Sequence, residues 1–169
     1  QVQRLAGERA EAEQRAADRA VRVTRYQSAL SEIARLDKSD RRLTLFHQGV
    51  RVREYVVALG RIPVGAKQRR GDGKTPEGLY YIEGRNPRSK FHLSLRVSYP
   101  TAEQREHASQ RGISPGGDIM IHGLPPAFAS VGTQHRNTDW TEGCVAVTNE
   151  EIEEIWRSVS DGAWILIQP

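Results

Sequence analysis

Leu43-Thr44-Leu45-Phe46-His47-Gln48-Gly49-Val50-Arg51-Val52-Arg53-Glu54-Tyr55-Val56-Val57-Ala58-Leu59 is the stretch on which the fold turns. Leu43 and Leu45, then Val50 and Val52, alternate with polar residues, the period of strands with one face in a core. Gln48-Gly49 falls where the two runs meet and reads as a hairpin turn. Tyr55 to Leu59 prolongs the second strand. The chain before it follows another rule. From Gln1 to about Leu36 there is no Pro and a single Gly, and good helix formers (Ala, Arg, Glu, Gln) dominate. Val2, Leu5, Ala12, Ala16, Val23, Tyr26, Leu30 and Ile33 recur at a 3,4 spacing broken by Arg9 and Arg19, a weak heptad with an apolar stripe only in its second half. Residues 1–38 are therefore expected to form an N-terminal helical segment, packed on the domain or standing off it as a stalk. Asp37-Lys38-Ser39-Asp40 is the expected boundary, and 39–169 the domain.

Beyond Leu59, strands are expected at Leu79–Glu83, Phe91–Tyr99, Asp118–Leu124 and Ala163–Gln168. One later helix is well marked: Thr148 with Glu151 three residues on is a capping box, and Ile152, Ile155, Trp156 and Val159 supply its apolar face. The expected class is mainly β with a few helices, plus the N-terminal α-helix. The 169 residues carry a formal charge of +4 and are 37% hydrophobic, and from Leu43 onward there is enough chain for one core. A basic balance suits an anionic partner, but the cationic residues around Lys67, Arg69, Arg70 and Lys74 read as a solvated loop, so nucleic acid is not expected. One cysteine rules out an internal disulfide. No stretch approaches membrane-spanning length. Because the chain begins at Gln1, its N-terminal segment is read as leading from a membrane anchor or signal peptide outside this sequence.

Chemistry is expected around that cysteine. In Thr141-Glu142-Gly143-Cys144-Val145-Ala146-Val147, Gly143 allows a tight turn that gathers backbone N–H groups, as an oxyanion site requires. The polar run Asn137–Glu142 places Cys144 at the mouth of an element. A thiol needs a base, and of the five histidines His122 has the most suggestive setting. It ends the apolar run Ile119-Met120-Ile121, and Gly123 leaves a carbonyl able to orient the ring. His135 lies in a polar loop suited to substrate, while His47, His92 and His107 read as surface or strand-face residues. No spacing suggests a metal site, and no cofactor is expected. Gly71-Asp72-Gly73-Lys74-Thr75 lacks the spacing of a phosphate loop and has Pro76 where a helix should begin; it reads as a turn.

Four ordered segments together resemble the YkuD-type L,D-transpeptidase catalytic domain, and within it the YafK-like branch. They are Arg53–Gly60; Gly71-Asp72-Gly73-Lys74-Thr75-Pro76-Glu77-Gly78-Leu79-Tyr80; Phe91–Leu95 with Ser98-Tyr99-Pro100; and Ile121-His122-Gly123 paired with Asp139–Cys144. The resemblance implies a compact, mostly β sandwich or barrel. It makes Cys144 the nucleophile, His122 the base and later acid, the Gly123 carbonyl its orienting partner, and the Gly143 and Cys144 N–H groups the oxyanion site. The implied substrate is a peptidoglycan stem peptide, attacked to form a thioester and passed to an acceptor amine as a cross-link, in the bacterial cell envelope, in the periplasm. A wall-anchored protein is a further implied partner.

The sequence departs from the broader family at two positions and in a slightly long spacer from His122 to Thr141. Glu142 stands where a second histidine commonly precedes Gly-Cys, and Ala146 where Arg or Asn commonly follows. His135, Arg136, Trp140, Thr141 and Glu142 are therefore the candidates for holding substrate. The alternatives are an amidase or hydrolase of the same chemistry that releases protein or peptide from the wall, and a non-catalytic wall-binding module.

Overall fold

The computed structural model describes residues 2–31 and 33–169, with side chains described for 7–21 and 33–169. Helix α1 (Val2–Ser31) is followed by strands β1 (Ile33–Asp37), β2 (Arg42–His47) and β3 (Val50–Val56). Then come β4 (Gly78–Ser89), β5 (His92–Val97), helix α2 (Ala102–Gln110) and β6 (Met120–His122). A kinked 3₁₀ segment (Pro126–Asn137), β7 (Val145–Ala146), helix α3 (Asn149–Ser158) and β8 (Trp164–Gln168) complete the chain. The mainly β architecture with few helices and an N-terminal helix is the expected class.

The helical reading carried to about Leu36 stops at Ser31, and Ile33–Asp37 is instead a strand. Ala34 and Leu36 are buried while Arg35 between them is exposed, the strand period rather than the helical one. The reason is not local. β1 lies between β2, which it pairs antiparallel, and β8, which it pairs parallel, so its backbone groups are satisfied on both sides. Asp37–Asp40 is the turn of the β1–β2 hairpin. Residues 7–21 of α1 are all exposed, because this part offers mostly Ala and charge and has no apolar face to bury. The apolar positions Val2, Leu5, Val23, Tyr26 and Leu30 lie outside the residues whose side chains are described.

The strands form one eight-stranded sheet in the order β3-β2-β1-β8-β4-β5-β6-β7. Its two ends meet. Past β3 the chain runs against β7, where Ala58 and Ala146 exchange hydrogen bonds of 3.0 and 2.9 Å and Gly60 bridges Thr141. This curl encloses Leu36, Leu43, Leu59, Ile82, Leu95, Ile121 and Ile165, with Ile152 and Ile155 of α3 against them. Each such side chain contributes roughly 1.5–3 kcal/mol by leaving water. The capping box read at Thr148 and Glu151 is present, and α2 carries another at Thr101 and Gln104.

Candidate active site

The site lies where β6 and β7 run side by side. Ile121 pairs with Val145 and His122 with Ala146 in a parallel ladder, and Val147 donates to the His122 carbonyl at 2.9 Å. Cys144, immediately before β7, thus leads into the strand next to the one that ends at His122. Its half-buried thiol donates to the Asp118 carbonyl at 3.3 Å. Burial pushes the Cys144 thiol up, with the Met120 N–H working against that shift.

The turn bearing Cys144 is pinned from three sides. Thr141 donates through its hydroxyl to the Cys144 carbonyl at 2.7 Å and accepts from the Gly143 N–H at 3.1 Å. Its own backbone bridges Leu59 and Arg61, at 3.1 and 2.8 Å. Gly143 has φ +134°, and a Cβ there would lie 2.6 Å from the Lys74 carbonyl oxygen, so the signature loop around Lys74 backs directly onto the turn. The Gly143 N–H is thereby spent on Thr141. Among the described residues the Cys144 N–H has no acceptor and remains open.

His122 is 3% exposed. Its ring lies between Phe91, at 4.3 Å between centroids, and Trp140, at 5.9 Å. Nδ1 donates to the Gly123 carbonyl at 2.7 Å, so the proton of the neutral ring sits on Nδ1 and Nε2 keeps its lone pair. Burial lowers the His122 pKa to about 4; the Gly123 carbonyl opposes the shift and His135 adds to it slightly. The close packing behind the ring requires a glycine. A Cβ at Gly123 would lie 2.6 Å from Asn149 Oδ1, which already accepts from the Leu124 N–H.

The other expected residues divide into two groups. Trp140 lies against the His122 ring and Thr141 holds the turn that bears Cys144. His135, read as a loop residue, is 8% exposed. Its Nδ1 takes a hydrogen bond from Trp140 at 3.4 Å, and its Nε2 is buried without a partner. The 3₁₀ segment folds the ring under Trp140, which a local reading of polar neighbours does not reveal. Arg136 turns away, donating to the Val56 carbonyl and to Glu151 of the α3 cap. Glu142 is exposed and paired with Arg61. Among the described residues no group of three His, Cys, Asp or Glu could hold a metal ion.

Three residues of this neighbourhood escaped the sequence reading. Asp139 receives Arg41 at 2.7 Å and the Leu59 N–H at 3.0 Å, tying the loop before Cys144 to the closing strand. Phe91 covers the imidazole, and Arg61 grips Glu142. Their only signal was proximity to segments already singled out, for Phe91 opens one, Arg61 follows another and Asp139 starts the run to Cys144.

The sequence pattern that defines the YkuD L,D-transpeptidase catalytic domain matches residues 31–167. The chain is 33% identical over 108 residues to YafK of Escherichia coli K12, a protein named provisionally as an L,D-transpeptidase; the match covers 63% of this chain and 36% of that one. Among solved structures it resembles the helical cell shape determining protein Pgp2 of Campylobacter jejuni, with TM-score 0.64 and 25% identity over 82% of this chain and 47% of that one. Bd1075 of Bdellovibrio bacteriovorus shares the fold, with TM-score 0.60 and 23% identity over 82% of this chain and 48% of that one. The chain thus spans less than half the length of each of these relatives. It belongs to the YkuD family of L,D-transpeptidase catalytic domains.

Proposed function

We propose that the domain performs acyl transfer on peptidoglycan stem peptides through a thioester at Cys144, in the periplasm of a bacterial envelope. The observation that carries this is the tautomer of His122: with Nδ1–H given to the Gly123 carbonyl, Nε2 is left as a base beside the strand that bears the thiol. In the first step Nε2 takes the thiol proton as sulfur attacks the amide carbonyl between diaminopimelate and the terminal D-alanine. His122 then returns that proton to the leaving amine, and the C–N bond breaks. In the second step an acceptor amine attacks the thioester. His122 takes a proton from the incoming nitrogen and delivers it to the departing sulfur. The open Cys144 N–H faces the developing oxyanion. Gly143, whose N–H is held by Thr141, serves by shaping the turn.

Both groups begin neutral, since burial disfavours the imidazolium and the thiolate alike. Proton transfer is therefore coupled to attack on bound substrate. Helix α1, exposed along residues 7–21, is read as a stalk ahead of the domain. Intact mass after incubation with a stem tetrapeptide tests the reading: wild type gains the acyl mass and Cys144→Ala does not. Supplying an acceptor amine then distinguishes cross-linking from release by water. If wild type carries no adduct with the tetrapeptide or with a carbapenem, the acyl-enzyme reading is lost.

A further inference from the structure

Glu142 and Arg61 form an ion pair at the lip of the site, two residues ahead of Cys144. The guanidinium meets both carboxylate oxygens, Nε to Oε1 at 3.0 Å and Nη2 to Oε2 at 3.2 Å. Both side chains are open to solvent, 46% for Arg61 and 72% for Glu142. An ion pair this open to solvent contributes little to stability, so holding the fold together does not explain the care with which it is built. The Arg61 backbone N–H is fixed on the Thr141 carbonyl, and Nη2 also donates to the Gly71 carbonyl at 3.0 Å. The side chain lies across Gly73, where a Cβ would come within 2.8–3.0 Å of the arginine. The glycine loop 71–73 is thus moulded to one guanidinium. That group stays anchored on Gly71 if Glu142 swings away, and its Nε and Nη2 hydrogens then form a ready fork for another carboxylate.

On the other side of the turn the candidate for charged recognition is absent. Ala146 is fully buried and bonded to Ala58, so it presents no polar group to a ligand. Arg96, half-buried and holding Asp118 by one contact of 2.8 Å, is an arginine whose charge reaches the thiol. It lacks the loop built around Arg61.

We propose that Arg61 and Glu142 read an amino-acid zwitterion on the substrate, Arg61 taking its carboxylate and Glu142 its ammonium as the pair opens. The inference rests on the acyl-transfer reading for its place beside the reacting bond. It identifies the ligand as the free amino-acid end of a diaminopimelate side chain, whose one carbon bears both charges. A neutral pair meets a neutral zwitterion, so every charge exchanged finds a new partner. Substrates with an amidated carboxylate or an acetylated amine lose one half of that exchange.

The test uses three tetrapeptides ending in D-alanine: one with the free diaminopimelate end, one amidated at its carboxylate, and one acetylated at its amine. Equilibrium binding and the rate of Cys144 acylation are measured for wild type, Arg61→Met, Glu142→Gln and Arg96→Met. Amidation should weaken wild-type binding roughly tenfold or more, the worth of a charge-assisted bidentate contact. The change should fall on KM, with kcat altered only a few-fold. Arg61→Met should lose the preference for the free carboxylate, Glu142→Gln the preference for the free amine, and Arg96→Met neither. Equal wild-type binding of all three peptides, no binding of any, or discrimination surviving Arg61→Met overturns the proposal. If Arg61→Met does not fold, the wild-type and Glu142→Gln comparisons still decide. Selective binding without any Cys144 adduct would sink acyl transfer and leave the zwitterion reader standing.

Discussion

Asp72→Asn should cost this domain a share of its stability that depends on pH in a specified way. The carboxylate is 7% exposed and accepts from the Lys67 ammonium at 2.9 Å and from the Gln68, Arg69 and Lys74 N–H groups at 2.8, 3.1 and 3.1 Å. Burial by itself would push the Asp72 pKa up. The bonds from Gln68, Lys67, Arg69 and Lys74 outweigh it and bring the pKa down from an ordinary 3.8 to about 2. At ~1.4 kcal/mol per pH unit, that drop is worth about 2 kcal/mol of folding free energy. Because the folded value lies below the unfolded one, the contribution is complete above pH ~4 and is lost as pH falls through about 2. Urea unfolding of wild type and Asp72→Asn at several pH values from 7 to 1.5 measures it. The advantage of wild type should be about 2–4 kcal/mol at pH 7, where Asn also strands the buried Lys67 ammonium. It should shrink by about 2 kcal/mol on acidification. The other carboxylates titrate alike in both proteins and cancel in the difference. A difference that does not change with pH would refute the assignment of Asp72 as a buried, hydrogen-bonded anion. The same loop supplies the Gly71 carbonyl to Arg61 and the Lys74 carbonyl behind Gly143, so acylation of Cys144 should slow in the variant as well.

Three further outcomes are expected. Since burial raises the Cys144 thiol and lowers His122 to about 4, alkylation by iodoacetamide should keep accelerating with pH through the alkaline range; a rate already level between pH ~5 and ~8 would show a resting thiolate–imidazolium pair instead. Gly143→Ala forces a side chain onto φ +134° and to within 2.6 Å of the Lys74 carbonyl oxygen, so it should lower stability by about 1–3 kcal/mol and Cys144 acylation by more than tenfold; a variant that melts and acylates like wild type removes the turn from the mechanism. Lys38, 3% exposed, donates to the Gly65 and Thr75 carbonyls and to Glu77, so Lys38→Met should cost about 3 kcal/mol in urea unfolding, with part recovered in the Lys38→Met, Glu77→Gln double variant; no recovery would mean that the carbonyl bonds carry the whole effect.

Much of the site could be read locally because its key features are local. Gly143 is needed for a positive φ at the turn, and Gly123 follows the histidine whose ring its carbonyl holds. The Thr148–Glu151 cap closes within three residues. His135 shows where local reading stops. Its neighbours Gln134, Arg136 and Asn137 are polar, yet the 3₁₀ path buries the ring against Trp140. Helix α2 carried a legible cap at Thr101 and Gln104 that lacked an apolar stripe to accompany it, since of its residues only Ala108 is buried.

Val50 and Val52, read as lying on a core face, are 64% and 43% exposed, but by itself the sequence determined the β2–β3 pair with its hairpin at Gln48-Gly49, the capped helix α3 and the glycine turn before Cys144. All of these follow from side-chain period, backbone freedom or contacts a few residues apart. Only the tertiary structure decided that Ile33–Asp37 is a strand, because β2 and β8 offer its backbone partners that no neighbour in sequence can. The tertiary structure also laid β7 parallel to β6, pairing His122 with Ala146 in the strand that follows Cys144, and joined Arg61 to Glu142 across 81 positions. Strand partners and distant ion pairs are chosen by the closure of the whole sheet, and that choice leaves no periodic trace in the chain.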